Sequence, residues 1–299
     1  MIPIKNKLDN SHRGENPSLN RILDAYLKKQ GKHKPYLEPG QTFFWDSEYF
    51  HLDKSTLFRG ASKEQKRLIL ERCTQDLVSE SYFVEKSAAA YCGKMMLLAE
   101  TTEIAQVYSM IANEEAIHLQ WITPYMDLEA RHSPEGPFLK FLSSLIETCD
   151  FNLLPYLVQI ILEGWGLHHY KRLANGCLND QLKSVFLAIV RDEALHHHAG
   201  EVIFDASKAS PEQHLFIEDC LKTFADMVRM GPQQIVTAVD EVMGGISLKD
   251  KKRLLIDIGA EDAIAEKLNL LKELMLQPGV EKTVQKLELT GYFSPQGAR

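Results

Sequence analysis

Apolar residues recur at intervals of three and four along almost the whole 299-residue chain, the spacing of one face of an α-helix. No segment alternates apolar and polar positions with period two, so the pattern predicts an all-α protein. Residues 1–17 are polar and read as a loose start. Ser18 to Gln30 reads as a short helix with Leu19, Ile22, Leu23 and Leu27 on one side, stopped by Gly31. Pro35 to Gly60 is irregular and aromatic (Phe43, Phe44, Trp45, Tyr49, Phe50, Phe58), an extended strap across a larger core. Ser62 is a good N-cap for a long helical stretch to Ala99, and Thr101 and Thr102 cap the next, which Pro124 kinks or ends. Phe138 to Cys149 reads as a connecting helix. Leu153 to Leu173 follows, closed by Gly176, then Leu182 to Asp205, then a helix from Ser210-Pro211-Glu212 to Met230 ended by Gly231-Pro232. Four amphipathic helices fit the remainder, near 233–243, 248–257, 261–276 and 279–289.

Four of these apolar stripes are interrupted by acids. Around Glu85 the helical neighbours are Val78, Ser81, Tyr82, Ala88, Ala89 and Cys92, so Glu85 faces inward. Glu115 and His118 lie on the stripe of Ile104, Tyr108, Ile111 and Ile122. Glu163 lies among Ile160, Leu162 and Leu167, and Glu193 and His196 follow Phe186 and Ile189. Residues three apart on a helix stack on one face, so each Glu/His pair can hold one metal ion. The same spacing occurs at Glu48/His51, where no helix is signalled, and at Glu129/His132, beyond Pro124. Both are read as accidental, the second as exposed to solvent.

Glu85 and Glu115 are 30 residues apart, with their midpoint in the turn at 100–102. Glu163 and Glu193 are also 30 apart, with their midpoint in the 174–180 connection. In an antiparallel hairpin, residues equidistant from the turn lie level, here roughly 22 Å from it at about 1.5 Å per residue. Two packed hairpins would therefore gather four carboxylates and two imidazoles at mid-bundle. A single inward acid is ordinarily a hydrogen-bonded core group. Four at one level need cations, and the stripes carry no Lys or Arg. Two divalent ions would serve. Ala88, Ala89, Gly164 and Gly166 nearby either leave room for a small molecule or allow close helix packing.

Composition narrows the class. A net charge of -7 and pI near 5.9 argue against nucleic acid or an anionic membrane as partner. No apolar run reaches spanning length, the first residues do not begin a signal peptide, and Cys73, Cys92, Cys149, Cys177 and Cys220 are scattered without a CxxC. Reduced thiols in a cytoplasmic protein are expected.

Lone Glu, ExxH, lone Glu, ExxH on four helices resembles the ferritin-like di-iron carboxylate superfamily. The resemblance covers roughly residues 77–200. It implies a ferritin-like four-helix bundle, with Glu85, Glu115, His118, Glu163, Glu193 and His196 as ligands of two Fe ions (or Mn, or a mixed pair). Glu115 and Glu193 would bridge the two ions and act as the catalytic pair. The domain organisation expected is an N-terminal helix and strap at 1–60, a di-metal bundle at 61–230 and a C-terminal helical extension at 231–299 packed on the same domain.

Within the superfamily, Ile122 stands where ribonucleotide reductase small subunits carry a radical tyrosine. Leu167 replaces the threonine of bacterial hydrocarbon monooxygenases, and Ile189 the extra histidine of arylamine N-oxygenases. Rubrerythrins need a CxxC module, and ferritins proper are shorter chains. The activity expected is O2-dependent oxidation of a small, largely apolar organic substrate, with electrons from a separate donor and a homodimer as a possible assembly. The alternatives are ferroxidase, iron-handling or peroxide-scavenging use of the same site, or a structural metal. Glu114 and Asp192 precede the bridging acids and point about 100° away. They are expected to accept the free ring N–H of the opposite imidazole, Asp192 from His118 and Glu114 from His196.

Overall fold

Two long antiparallel hairpins carry the centre of the molecule. A computed structural model of the chain describes residues 16–30, 41–126 and 136–296. The first hairpin pairs α3 (Lys63–Leu98) with α4 (Thr102–Ile122). The second pairs the continuous helix formed by Pro155–Glu163 and α6 (Gly164–Gly176) with α7 (Asp180–Ile203), and α4 packs on α7 to join the two. Among the described residues every regular element is helical and no strand occurs.

The helix starts follow from local chemistry. The Ser62 side chain accepts from Gln65 N while Gln65 reaches back to Ser62 N, a reciprocal cap that satisfies two otherwise orphaned donors. Ser210 and Gln213 repeat the arrangement at α8 (Pro211–Arg229). Thr101 caps α4 by accepting from Ile104 N. Asn179 Oδ1 accepts from Leu182 N at 2.9 Å, which is why α7 begins at Asp180, two residues before the first apolar position.

Residues 41–60 form the strap, with a 3-10 turn at Leu52–Lys54 and one short α-helix, α2 (Thr56–Gly60). Phe44, Trp45, Phe50 and Phe58 are buried beneath it, and Trp45 Nε1 donates to Leu173 O at 2.9 Å. Phe44 N donates to Thr74 Oγ1, and Leu178 N to Phe44 O, tying the strap to both hairpins. The expected loose start at 1–15 and the Pro35–Gly40 part of the strap lie outside the described residues. Helix α1 (Pro17–Gln30) meets α4, yet Leu19 and Ile22 remain 60% and 55% exposed, so its apolar side is not the inward face the spacing suggests.

The C-terminal helices are α9 (Gln233–Val242), α10 (Leu248–Asp257), α11 (Ala260–Met275) and α12 (Glu281–Leu289). Helix α9 packs on α3, and α11 packs on α8, α6 and Pro155–Glu163, while α5 (Pro137–Thr148) packs on α3. Helices α9 and α11 therefore meet the hairpins directly, while α10 packs on α9 and α11, and α12 on α8. No helix among the described residues is long and apolar enough to cross a membrane.

The sequence pattern does not reveal that Pro155–Glu163 is wound as a π-helix. Its residues from Pro155 to Ile161 are all buried, so apolar contacts surround it on every side and do not specify the winding. The wider turn lets the Gln159 carbonyl accept from His197 Nδ1 at 3.1 Å. Gly200 of α7 lies against this stretch, and a Cβ there would stand 2.5 Å from Gln159 Cβ.

That contact gives a stability prediction. Gly200→Ala must push two backbones apart and is expected to cost about 1–3 kcal/mol. Gly93→Ala meets nothing within 4 Å on α3 and should stabilise by about 0.5–1 kcal/mol. Chemical denaturation of the two variants beside the parent chain checks both signs.

Candidate metal centre

Each hairpin delivers its acids to one place. Glu85, Glu115, Glu163 and Glu193 are buried, and so are His118 and His196. Glu85, Glu115, His118 and Glu193 offer ligand atoms within 4.8 Å of one another, and so do Glu115, Glu163, Glu193 and His196. Glu115 and Glu193 belong to both groups and stand between them. Glu48 and His51 do not join either group; His51 sits in a turn with left-handed backbone, φ 56°. Glu129 and His132 lie outside the described residues.

The contacts within the cluster are aimed at shared points more than at each other. His196 Nδ1 is 3.2 Å from Glu115 Oε1 and 3.7 Å from Glu193 Oε1. Neither it nor Glu115 Oε1 has a hydrogen-bond partner. Both oxygens of Glu115 and both of Glu163 are buried without partners. Buried polar atoms are almost always satisfied, so five orphans in one cluster require a ligand to face them. A divalent ion with nitrogen and oxygen donors fits that set, and iron, manganese and zinc all accept it. His118 Nδ1 lies 2.9 Å from Glu85 Oε2, 3.6 Å from Glu115 Oε2 and 3.8 Å from Glu193 Oε1, so it too points into the cluster.

The outward ring nitrogens meet a second set of acids. His118 Nε2 lies 3.1 Å from Asp192 Oδ2, and His196 Nε2 lies 2.7 Å from Glu114 Oε2. Each carboxylate comes from the opposite hairpin and sits one residue before a cluster acid. Accepting Nε2–H, it leaves Nδ1 free to serve as a ligand.

Four polar residues beside the cluster, Tyr170, Gln159, Tyr91 and Tyr108, are not among the site residues expected from the sequence. Tyr170 OH donates to Glu85 Oε1. It stands seven residues after Glu163 on the same stripe, which is the spacing that could have flagged it. Gln159 Oε1 accepts from Tyr91 OH at 2.8 Å and from Tyr108 OH at 2.7 Å, while its Nε2 donates to His196 O at 2.8 Å. This network clamps the backbone of one cluster residue.

Charge crowding governs protonation. Burial pushes the Glu163 carboxyl well above its usual range, and the neighbouring Glu193 carboxylate pushes it further. Burial and Glu115 raise Glu193 as well. Burial alone would lower His118, but the Glu85 carboxylate, the hydrogen bonds to Asp192 and Glu85 and the nearby Glu115 carboxylate outweigh it and hold the imidazole far above the usual histidine range. His196 is raised likewise, burial being outweighed by Glu114, Glu115 and Glu193.

A cavity of about 620 Å³ reaches the cluster at Glu85, Glu163 and Glu193. Its walls near those acids are apolar: Ala88, Val158, Leu162 and Trp165. Gly166 lines it with nothing within 4 Å of a Cβ position, so this glycine does leave room. Gly164 does not; a Cβ there would meet Leu274 Cδ2 at 2.7 Å and His197 Cε1 at 3.0 Å, so its role is close packing. No protein-family model, curated protein or solved structure matches the chain. The site's own geometry carries its reading.

The raised groups set a pH dependence for the metal-free protein. Its folded state binds protons that the unfolded chain releases, so stability falls as pH rises. The Glu163 contribution is complete below 4.5 and that of the imidazoles below 6.5, and both are lost upward as pH approaches the folded values. The melting temperature of metal-free protein is expected to fall between about pH 5 and about pH 9. Glu163→Gln should flatten that fall and melt higher than the parent at the alkaline end; identical pH curves would refute the assignment.

Asp192→Asn keeps the shape but removes the charge facing His118. It is expected to weaken metal binding by roughly 10–100-fold without unfolding the chain. Chelator competition with Fe(II), alongside circular dichroism, measures it; unchanged affinity would refute the role.

Proposed function

We propose that the chain is a ferritin-like di-iron oxidoreductase that activates O2 to oxidise a small, largely apolar organic substrate. The observation that carries this reading is the junction of the two groups of buried ligand atoms with an apolar cavity. Glu85 and His118 would hold one ion, Glu163 and His196 the other, with Glu115 and Glu193 between them. Two Fe(II) ions held in this way supply electrons to O2, with the oxidising equivalents confined to a site the protein shields.

The chain's own groups do the rest. Asp192 and Glu114 fix the tautomers of the two imidazoles and raise their basicity. Tyr170 donates its phenol O–H to Glu85 Oε1 and keeps that carboxylate turned toward His118. Burial and the neighbouring Glu85 carboxylate, which would repel a phenolate, keep the Tyr170 phenol protonated, far above its usual range. The apolar walls exclude bulk water from the face of the cluster that opens to the cavity, so a bound molecule meets the acids in a dry environment. Electrons for repeated turnover would come from a separate donor or from the substrate.

Anaerobic loading with Fe(II) tests the reading. Two ions per chain are expected, about one in Glu163→Ala, and a larger loss in a Glu163→Ala, Glu193→Ala double variant. Exposure to O2 should then consume O2 and alter an added apolar compound without building a mineral. No bound transition metal, full occupancy in the double variant, or accumulation of iron far beyond two per chain would each overturn it.

A further inference from the structure

The cavity is apolar where it meets the cluster, but one stretch of its wall is charged. Helix α11 turns Ala260, Ala263, Ile264, Lys267 and Leu271 toward it. These positions are spaced by three and four residues, a single helical stripe. Lys267 is the only charge on that stripe. No hydrogen bond or ion pair of Lys267 occurs among the described residues, although it is accessible. Burial, then the nearby Arg172 guanidinium, pushes its ammonium below the usual lysine range. Lys267 is thus an accessible cation on the cavity wall, able to meet a ligand held there.

Arg172, His169 and Glu80 also line the cavity and interact electrostatically with Lys267 or with one another. Arg172 lies over the Tyr49 ring at 5.3 Å. Glu80 Oε2 is occupied by Gln234 Nε2 at 2.9 Å. Burial pushes His169 down, so its imidazole is neutral near pH 7. Counted over Lys267 and the two charges that act on it, Arg172 and Glu80, about one net positive charge remains, which complements a monoanion better than a dianionic phosphate. His169 stands six residues after Glu163 on the same helix, roughly 9 Å along its axis at about 1.5 Å per residue. Charged capture at one end and the metal-facing acids at the other are therefore separated by an apolar interval.

We propose that the cavity takes an organic carboxylate, its head group held by Lys267 and Arg172 and its apolar body directed toward Glu85, Glu163 and Glu193. The acid cluster repels an anion, which fixes this orientation over the reverse. The inference rests on the oxidising reading of the centre for the fate of the bound molecule, but not for its binding.

Isothermal titration of the protein as purified, under anaerobic conditions, with octanoate, 1-octanol and octyl phosphate tests it. Octanoate is expected to bind at least about ten-fold more tightly than 1-octanol, a difference of about 1.4 kcal/mol, and more tightly than octyl phosphate. Lys267→Met should erase the preference for octanoate over 1-octanol, and Lys267→Arg should keep it. Leu271→Trp, which fills the apolar interval, should weaken both ligands. Equal affinities for octanoate and 1-octanol, or tighter octyl phosphate binding, would overturn the proposal. So would an octanoate preference that survives Lys267→Met, which would mean capture elsewhere, including direct ligation at the metal centre. If the expected pattern holds in protein containing no transition metal, the binding proposal stands and the oxidising reading alone falls.

Discussion

Four carboxylates buried in one apolar core, with no lysine or arginine among them, are the constraint on which this structure depends. Two imidazoles face them, but Glu114 and Asp192 behind those imidazoles add negative charge of their own. In the metal-free chain the balance is held by protons: on Glu163, whose carboxyl is pushed far up, and on both histidines. Metal ligation requires those sites to be deprotonated, so cations and protons compete for the same place. The orphaned oxygens of Glu115 and Glu163 and the unpartnered Nδ1 of His196 show how incompletely protons fill it. Acids behind a metal-facing imidazole make sense in this light. They cost stability in the empty centre and strengthen the nitrogen that faces a cation.

The surrounding fold keeps these six side chains level. The hairpins set their height, and the contact of Gly200 with Gln159 sets how closely the second hairpin closes. Gln159 then ties two tyrosines of the first hairpin to the His196 carbonyl of the second. The strap pins the ends of both hairpins through Trp45 and Phe44. Helices α8, α9 and α11 cover the remaining side, and instead of filling it they leave the cavity.

Much of this was legible because helical geometry is arithmetic. Equal separations of Glu85 from Glu115 and Glu163 from Glu193, each centred on a turn, place four acids at one level before any coordinates are known. The pairing of His118 with Asp192 follows from the direction in which a preceding residue points. What stayed hidden depends on contacts between helices. The π-helical winding of Pro155–Glu163 leaves no trace in a segment that is apolar on every side. Gln159 is a common inward polar residue until Tyr91 and Tyr108 are seen to converge on it. Lys267 sits on an apolar stripe, but a lysine there ordinarily extends its ammonium to bulk water, and only the cavity shows where this one leads. The apolar residues of α1 show the opposite failure, since a helical stripe does not guarantee a partner for it.

The division of the cavity bears on what the centre is for. A site that only passed iron would be served by a polar route lined with acids up to the cluster. Here the approach to Glu163 and Glu193 is walled by Ala88, Val158, Leu162 and Trp165, and the polar groups gather farther off, around Lys267 and Glu80. Hydrated cations gain nothing from such walls, whereas a hydrocarbon gains roughly 25 cal/mol for each Å² of apolar surface it buries. The charged end then supplies what apolar burial lacks, a fixed direction, because a carboxylate left in the apolar interval would lose its hydration without a counter-charge. In the proposed binding mode the apolar walls would select the body of the ligand, and Lys267 would decide which end of it meets the acids.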